Sequence, residues 1–299
     1  MNPITLALIP SGLLLCIGCC LRKHFEPQFW QLLDKLNFLV LFPALIFYSA
    51  ASRKSNAEDL LSIGGGALCI ILLGCLFVLP LRKLQKGPKA FVDFAGVAQT
   101  AWRFNTAIAM VAIQVLAEQS RSLMSIAIGF GVPLANILAV LLLSHGQAMS
   151  AAKVFKSIAF NPFLLASISG MLVSGVELPF VLDKTLVSLA DTATPIALLS
   201  IGAAMNLHVL AKLDLFGISV NFIKLLLLPA CTLLICRWVG MSNEQSIVLT
   251  LFAALPPATS AHLLANAFGA NRHMVANNIA QSTVLACISL PLWMNLVLN

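Results

Sequence analysis

Long apolar runs separated by short charged or loop-forming stretches repeat along the whole chain, near residues 3 to 21, 32 to 51, 60 to 81, 91 to 117, 122 to 144, 158 to 176, 184 to 206, 213 to 238, 245 to 268 and 273 to 298. A helix needs roughly 20 apolar residues to cross a hydrocarbon core. Each run is of that order, so the pattern predicts an all-α membrane protein with ten transmembrane helices. Ten spans use about 200 residues and leave about 10 for each connection. No soluble domain of useful size fits in what remains.

Composition agrees with this reading. Hydrophobic residues make up 60% of the 299, charged residues 10%, and the mean hydropathy is +0.96. These values lie far outside the range of a soluble globular domain. The formal charge of +7 sits in short basic clusters between apolar runs, with no accompanying aromatic-basic surface. That distribution flanks a membrane and argues against nucleic acid. All eight cysteines lie in apolar stretches without a histidine at ligand spacing, so no metal, cofactor or disulfide framework is expected. The first charged residue is Arg22, and the basic start and small-residue cleavage site of a signal peptide are missing from the first segment, which is therefore expected to be retained.

The basic residues also orient the chain, because cytoplasmic loops collect Lys and Arg. With the N-terminus outside, eleven basic residues face the cytoplasm: Arg22, Lys23, Lys35, Arg82, Lys83, Lys86, Lys89, Lys153, Lys156, Lys212 and Arg272. Five face the other way, namely Arg53, Lys54, Arg121, Lys184 and Arg237, while Arg103 and Lys224 lie within or near spans. An even number of spans then puts both termini on the outer side.

A weak internal repeat divides the chain into residues 1–150 and 151–299. Asn2-Pro3 opens the first segment and Asn161-Pro162 the sixth; an offset of 152 carries Pro43 onto Pro195, and Phe104-Asn105 onto Pro256-Pro257. Each half holds five spans. Five is odd, so the second half enters from the opposite side and the repeat is inverted.

The fourth and ninth segments correspond across this repeat, and both carry interruptions. In Ala254-Leu255-Pro256-Pro257-Ala258-Thr259-Ser260, two prolines remove two backbone donors and clash with the preceding turn. Backbone groups freed at such a break must be buried in protein or line a wet cavity. The amide end of a half-helix also attracts anions. A proline kink relieved by neighbouring helices is the plainer alternative.

In the fourth segment, Gln99-Thr100-Ala101-Trp102-Arg103-Phe104-Asn105-Thr106 places a polar cluster and a cation in an apolar run. An arginine at membrane depth costs at least about 2.5 kcal/mol on insertion scales. Arg103 reads either as an anchor for a substrate carboxylate or as a side chain that snorkels to the interface or pairs with an acid. Asn105 matches the break in the other half, and its amide can serve a substrate or bond a neighbouring helix.

The tenth segment carries a polar stripe, with Asn277 and Gln281 one turn apart and Asn278 and Ser282 likewise. It can line a path, supply oxygens to a coupling cation, or join helices. His262 suits a proton relay or a structural role. Asp191 reads as a cation or proton site if it lies deep, and as an interface residue if the seventh span starts later.

These residues resemble the auxin efflux carrier family of bacterial transporters, relatives of plant auxin carriers and more distantly of bile acid/sodium symporters. The resemblance runs from about residue 3 to 297. It rests on Leu36-Asn37-Phe38 leading to Phe42-Pro43-Ala44-Leu45-Ile46-Phe47, on Arg103-Phe104-Asn105-Thr106, on Pro195-Ile196-Ala197-Leu198-Leu199-Ser200-Ile201-Gly202, and on Leu255-Pro256 through Asn266-Ala267-Phe268-Gly269 to Gln281-Ser282-Thr283. It implies two inverted five-helix repeats, a scaffold and a transport domain, broken helices crossing at the substrate site, and elevator-like alternating access in a bacterial inner or plasma membrane. The family often continues its fourth-segment motif with glycine and proline, where this chain has Ala107-Ile108-Ala109-Met110-Val111-Ala112. That departure shifts the weight of site formation to the ninth segment.

The expected function is secondary transport of small organic anions such as dicarboxylates or auxin-like carboxylates. The substrate-binding set is Asn105, Thr106, Arg103, Pro256, Pro257, Thr259 and Ser260; Asp191, His262, Asn277 and Gln281 are candidates for ion coupling or for lining the path. The expected partners are the carboxylate, the bilayer, H⁺ or Na⁺ as a coupling ion, and a second copy in a homodimer. The catalytic signatures of a membrane hydrolase or transferase are missing: there is no His-Glu-x-x-His, no paired aspartates at metal spacing and no P-loop lysine. A sensor or accessory subunit of the same fold is the other class, separated from a transporter by the absence of flux.

Overall fold

The computed structural model describes residues 13–14, 16–51, 57–87, 89–106, 108–109, 112, 116, 118–144, 160, 162–173, 176–204, 214–258 and 261–298. Among these residues every regular element is helical. α1 (Pro27–Leu36) runs through a π turn (Asn37–Leu41) into α2 (Phe42–Ala51), and α3 (Ala57–Val78) ends in a 3₁₀ turn (Leu79–Leu84). α4 (Ala90–Ala98) ends in a 3₁₀ turn (Gln99–Ala101), followed by α5 (Glu118–Leu143), α6 (Pro162–Leu172) and α7 (Phe180–Ala204). α8 (Leu215–Phe222) passes through a second π turn (Ile223–Leu227) into α9 (Leu228–Val239), and α10 (Asn243–Ala254), α11 (Ala261–Ala267) and α12 (Arg272–Leu298) complete the chain.

Five helical stretches are long and apolar enough to cross a membrane: Pro27–Tyr48, Glu58–Leu84, Ser120–Leu143, Leu215–Val239 and His273–Leu298. They coincide with the predicted second, third, fifth, eighth and tenth segments. Large apolar side chains such as Leu72, Phe180, Leu234 and Trp238 stand on the outside of the bundle. In lipid that costs nothing, and helix association rests on close packing and interhelical hydrogen bonds instead.

Local sequence accounts for the shape of these helices. Pro27 sits at the start of α1, where its missing N–H would have had no intrahelical partner anyway. Pro43 and Pro229 each follow a π turn by two residues. The Phe42 N–H donates to Asn37 O and the Leu228 N–H to Ile223 O, both five residues back, so the wider turn makes room for the proline ring. α10 opens with a capping box between Ser242 and Gln245 and ends at Leu255, whose backbone is extended. The residue before a proline is pushed out of the helical region, and Pro256 follows.

The helices pack in two groups. α1 and α2 lie on α7, and α2 lies on α6; α3 packs on α5, α10 on α5, α9 and α12, and α11 on α4 and α12. α5 is where the groups meet, through α2 and α6. The first group is joined by polar contacts: Ser200 Oγ donates to Asp34 Oδ1, and the Asn37 carboxamide fits between Ala193 O (3.2 Å) and Ala197 N (3.3 Å), the step flanking Pro195. In the second group α3 approaches the end of α4 closely at Gly74, where a Cβ would lie 2.9 Å from Ala101 O.

Candidate functional site

α4 stops although no proline or glycine follows it. Its last carbonyls are taken by side chains of the 3₁₀ turn that follows, since Gln99 Nε2 donates to Gly96 O (3.0 Å) and Thr100 Oγ1 to Val97 O (2.7 Å). Side-chain bonds of this kind compete with the helical ladder and end it. Residues 103–105 are then non-helical. The departure from the family motif therefore does not abolish the break.

Helical backbone resumes at Thr106 with Asn105 as its cap. Asn105 Oδ1 accepts from Ile108 N (3.3 Å), and Asn105 O accepts from Ala109 N (3.0 Å). An asparagine at this position is among the best N-caps. The Asn105 N–H donates to Pro256 O at 2.8 Å, inside the break of the ninth segment. A second bond joins the same segments, from Gln99 Nε2 to Ala261 O (3.1 Å). The two interruptions thus touch, and Asn105, Pro256 and Pro257 are all buried there.

Arg103 does not snorkel. It is 7% exposed and donates from Nη1 to Gln99 Oε1 and from Nη2 to Asn136 Oδ1, both at 2.9 Å. These two partners are neutral amide oxygens, which orient the planar fork. Trp102 Nε1 donates to Ala135 O (3.1 Å), so two consecutive residues tie the break to α5.

The tenth segment joins the same neighbourhood. Asn278 Nδ2 donates to Thr100 Oγ1 (2.9 Å), and Asn271 N donates to Asp93 Oδ1 (2.7 Å). Asn277, Asn278 and Gln281 line a pocket that α12 shares with Val97 of α4 and with Asp214 and Gly217 at the start of α8.

The structure brings Arg103, Asn105, Pro256 and Pro257 together and puts Thr106, half-buried, in the first turn after the break. Thr259 and Ser260 lie outside the described residues, as do Asn2, Pro3 and Asn161 of the repeat. His262 is half-buried on the short α11. Asp191 is exposed on α7, which packs mainly on α1 and α2 and not at the crossing. Four residues escaped the sequence reading of the site: Gln99 and Asn136, which hold Arg103; Asp214, which joins the pocket; and Lys224, 2% exposed on the π turn Ile223–Leu227. Lys224 had a signal, a cation inside an apolar run. Asn136 is a single amide, and Asp214 reads simply as a helix cap.

Together these features define an integral membrane protein built from helices interrupted and joined at a buried polar centre. The chain matches the family model described as "Membrane transport protein" over residues 18–294, and it belongs to that family, the one its motifs resemble. Relatives carry transporter names. An "Uncharacterized transporter" of Methanothermobacter thermautotrophicus is 29% identical over 154 residues, 51% of this chain and 51% of the relative. "Uncharacterized transporter YfdV" of Escherichia coli (strain K12) is 28% identical over 154 residues, 50% of this chain and 48% of the relative. The chain spans about half the length of these two curated relatives. A "Putative malonate transporter" of Rhizobium meliloti is 24% identical over 267 residues, 84% of this chain and 82% of the relative. Family and relatives point to a transporter rather than an enzyme.

Proposed function

We propose that this membrane transporter is a secondary carrier of small carboxylates, with ten transmembrane helices in two inverted five-helix repeats and its substrate site at the crossing of the fourth and ninth segments. The observation that carries this reading is the contact between the two breaks, Asn105 N–H on Pro256 O. A helix resuming at Thr106 directs its amide end at that centre, and Arg103 holds a buried cation beside it, so the centre suits a carboxylate.

The packing groups support an elevator mechanism. α1 and α2, α6 and α7 come from the second, sixth and seventh segments, while the segments carrying the breaks pack with α3, α5, α9 and α12. The first group acts as scaffold and the second as transport domain. Malonate is the first substrate to try, because the relative matched over most of its length bears that name. Membrane potential alone supplies about 2.3 kcal/mol per charge per 100 mV, enough to drive export of an anion.

The test is counterflow in proteoliposomes with labelled malonate, malate and indole-3-acetate, with and without an imposed potential. Saturable flux of one acid is expected, and Asn105→Ala should reduce it at least tenfold at equal folded protein. Wild-type protein that moves none of the three overturns the carboxylate reading. Unchanged flux in Asn105→Ala overturns the site.

A further inference from the structure

The pocket at the start of α8 has a chemistry of its own. Asp214 caps α8 by accepting from Gly217 N (2.6 Å), which holds its carboxylate against the first turn. Gly217 leaves the space beside it open: a Cβ there would lie 2.8 Å from Asp214 Oδ1, 3.2 Å from Asn278 Oδ1 and 3.5 Å from Gln281 Oε1. Three side-chain oxygens from two helices, α8's cap and α12, thus converge on one small volume, which Asn277 also lines.

The orientation of Asn278 follows from its partners. The Thr100 hydroxyl gives its proton to Val97 O, so toward Asn278 it can only accept. The Asn278 nitrogen must therefore face Thr100, and its oxygen faces the pocket. Asn278 is 3% exposed, and that oxygen receives no hydrogen bond. A buried acceptor without a donor needs a partner that the protein itself does not supply.

We propose that this pocket is a Na⁺ site, with Asp214, Asn278 and Gln281 as its oxygen ligands. Carboxylate and amide oxygens are the donors that hard cations take. A single carboxylate balances one positive charge, which favours a monovalent ion over a divalent one. Through Asn278 and Thr100 the ion is one hydrogen bond from the 3₁₀ turn that ends α4, so its binding steadies the fourth-segment break. That last role, coupling to substrate, rests on the transporter reading; the binding of Na⁺ does not.

The experiment is thermal unfolding of the purified full chain in detergent, in NaCl, KCl and choline chloride at equal ionic strength, without substrate. Because a ligand of the native state stabilises it by mass action, Na⁺ should raise the unfolding temperature saturably, and choline should not. Asp214→Asn keeps a good N-cap and removes the charge, while Gly217→Ala fills the space; each should lower the apparent Na⁺ affinity at least tenfold. No Na⁺-specific shift in the wild type overturns the site, as does an equal shift with K⁺, a shift that follows pH alone, or full Na⁺ affinity in both variants. Carboxylate flux without any Na⁺ shift would sink this site and leave the transporter reading standing; a Na⁺ shift without flux would do the reverse.

Discussion

Asn105 combines two functions that are usually separate, since its side chain starts one helix while its main-chain N–H reaches across to another. Arg103, two residues earlier, is held by two amide oxygens in a planar geometry that lysine lacks. Arg103→Lys keeps the charge but loses at least one of these bonds and leaves a buried oxygen unpaired. The expected cost is about 1–3 kcal/mol, seen as a lowered unfolding temperature in detergent together with reduced carboxylate flux. Both residues were legible from sequence because each is a polar group in an apolar run. Gln99 and Asn136 were not singled out, because what marks them is whom they hold. Asp214 was not legible either: it is contiguous with an apolar segment, where an acid reads as a cap, and only the fold brings Asn278 and Gln281 to it.

At the level of elements, the two breaks have different causes. The ninth-segment break is written as a double proline, and Leu255 leaves the helix where that sequence requires it. The fourth-segment break has no proline; side-chain bonds from Gln99 and Thr100 take over the closing carbonyls. Sequence reading took the first from its prolines and the second from a polar cluster and the repeat offset, and it did not see how the second forms, because a glutamine and a threonine in a helix carry no mark of where they will bond. Replacing both Pro256 and Pro257 by Ala should let the α10 backbone continue and draw the residue-256 carbonyl away from Asn105. Flux should fall severalfold while thermal stability holds or rises, a combination that separates loss of the crossing from misfolding. Ser242→Ala, which removes the capping box of α10 far from the crossing, should instead cost about 1 kcal/mol of stability and leave the apparent affinity for the carboxylate unchanged in the flux assay.

For the whole molecule, five of the apolar segments, the second, third, fifth, eighth and tenth, were readable in advance with their approximate limits, because a crossing must be long and apolar. Which segments pack together was not. The grouping of α2 with α6 and α7 depends on contacts such as Asn37 with the Pro195 step, and lipid-facing and protein-facing sides of a helix are both apolar here. Orientation belongs to this scale too. We propose from the excess of Lys and Arg on alternate loops that both termini lie outside; alkaline phosphatase fused after residue 299 should then be active and a fluorescent protein at the same point dark. The opposite pattern would invert the assignment.

The bond from Asn105 to Pro256 joins residues about 150 positions apart. A ribosome adding 5–20 residues per second reaches the second partner on the order of ten seconds after the first. Throughout that interval the first half of the chain sits at the insertion machinery with the Asn105 main-chain N–H and the Gln99 carboxamide waiting for Pro256 O and Ala261 O of the ninth segment. Biogenesis must therefore shelter this intermediate, and a chain truncated before residue 243 should be cleared by membrane proteases however well its first five segments insert.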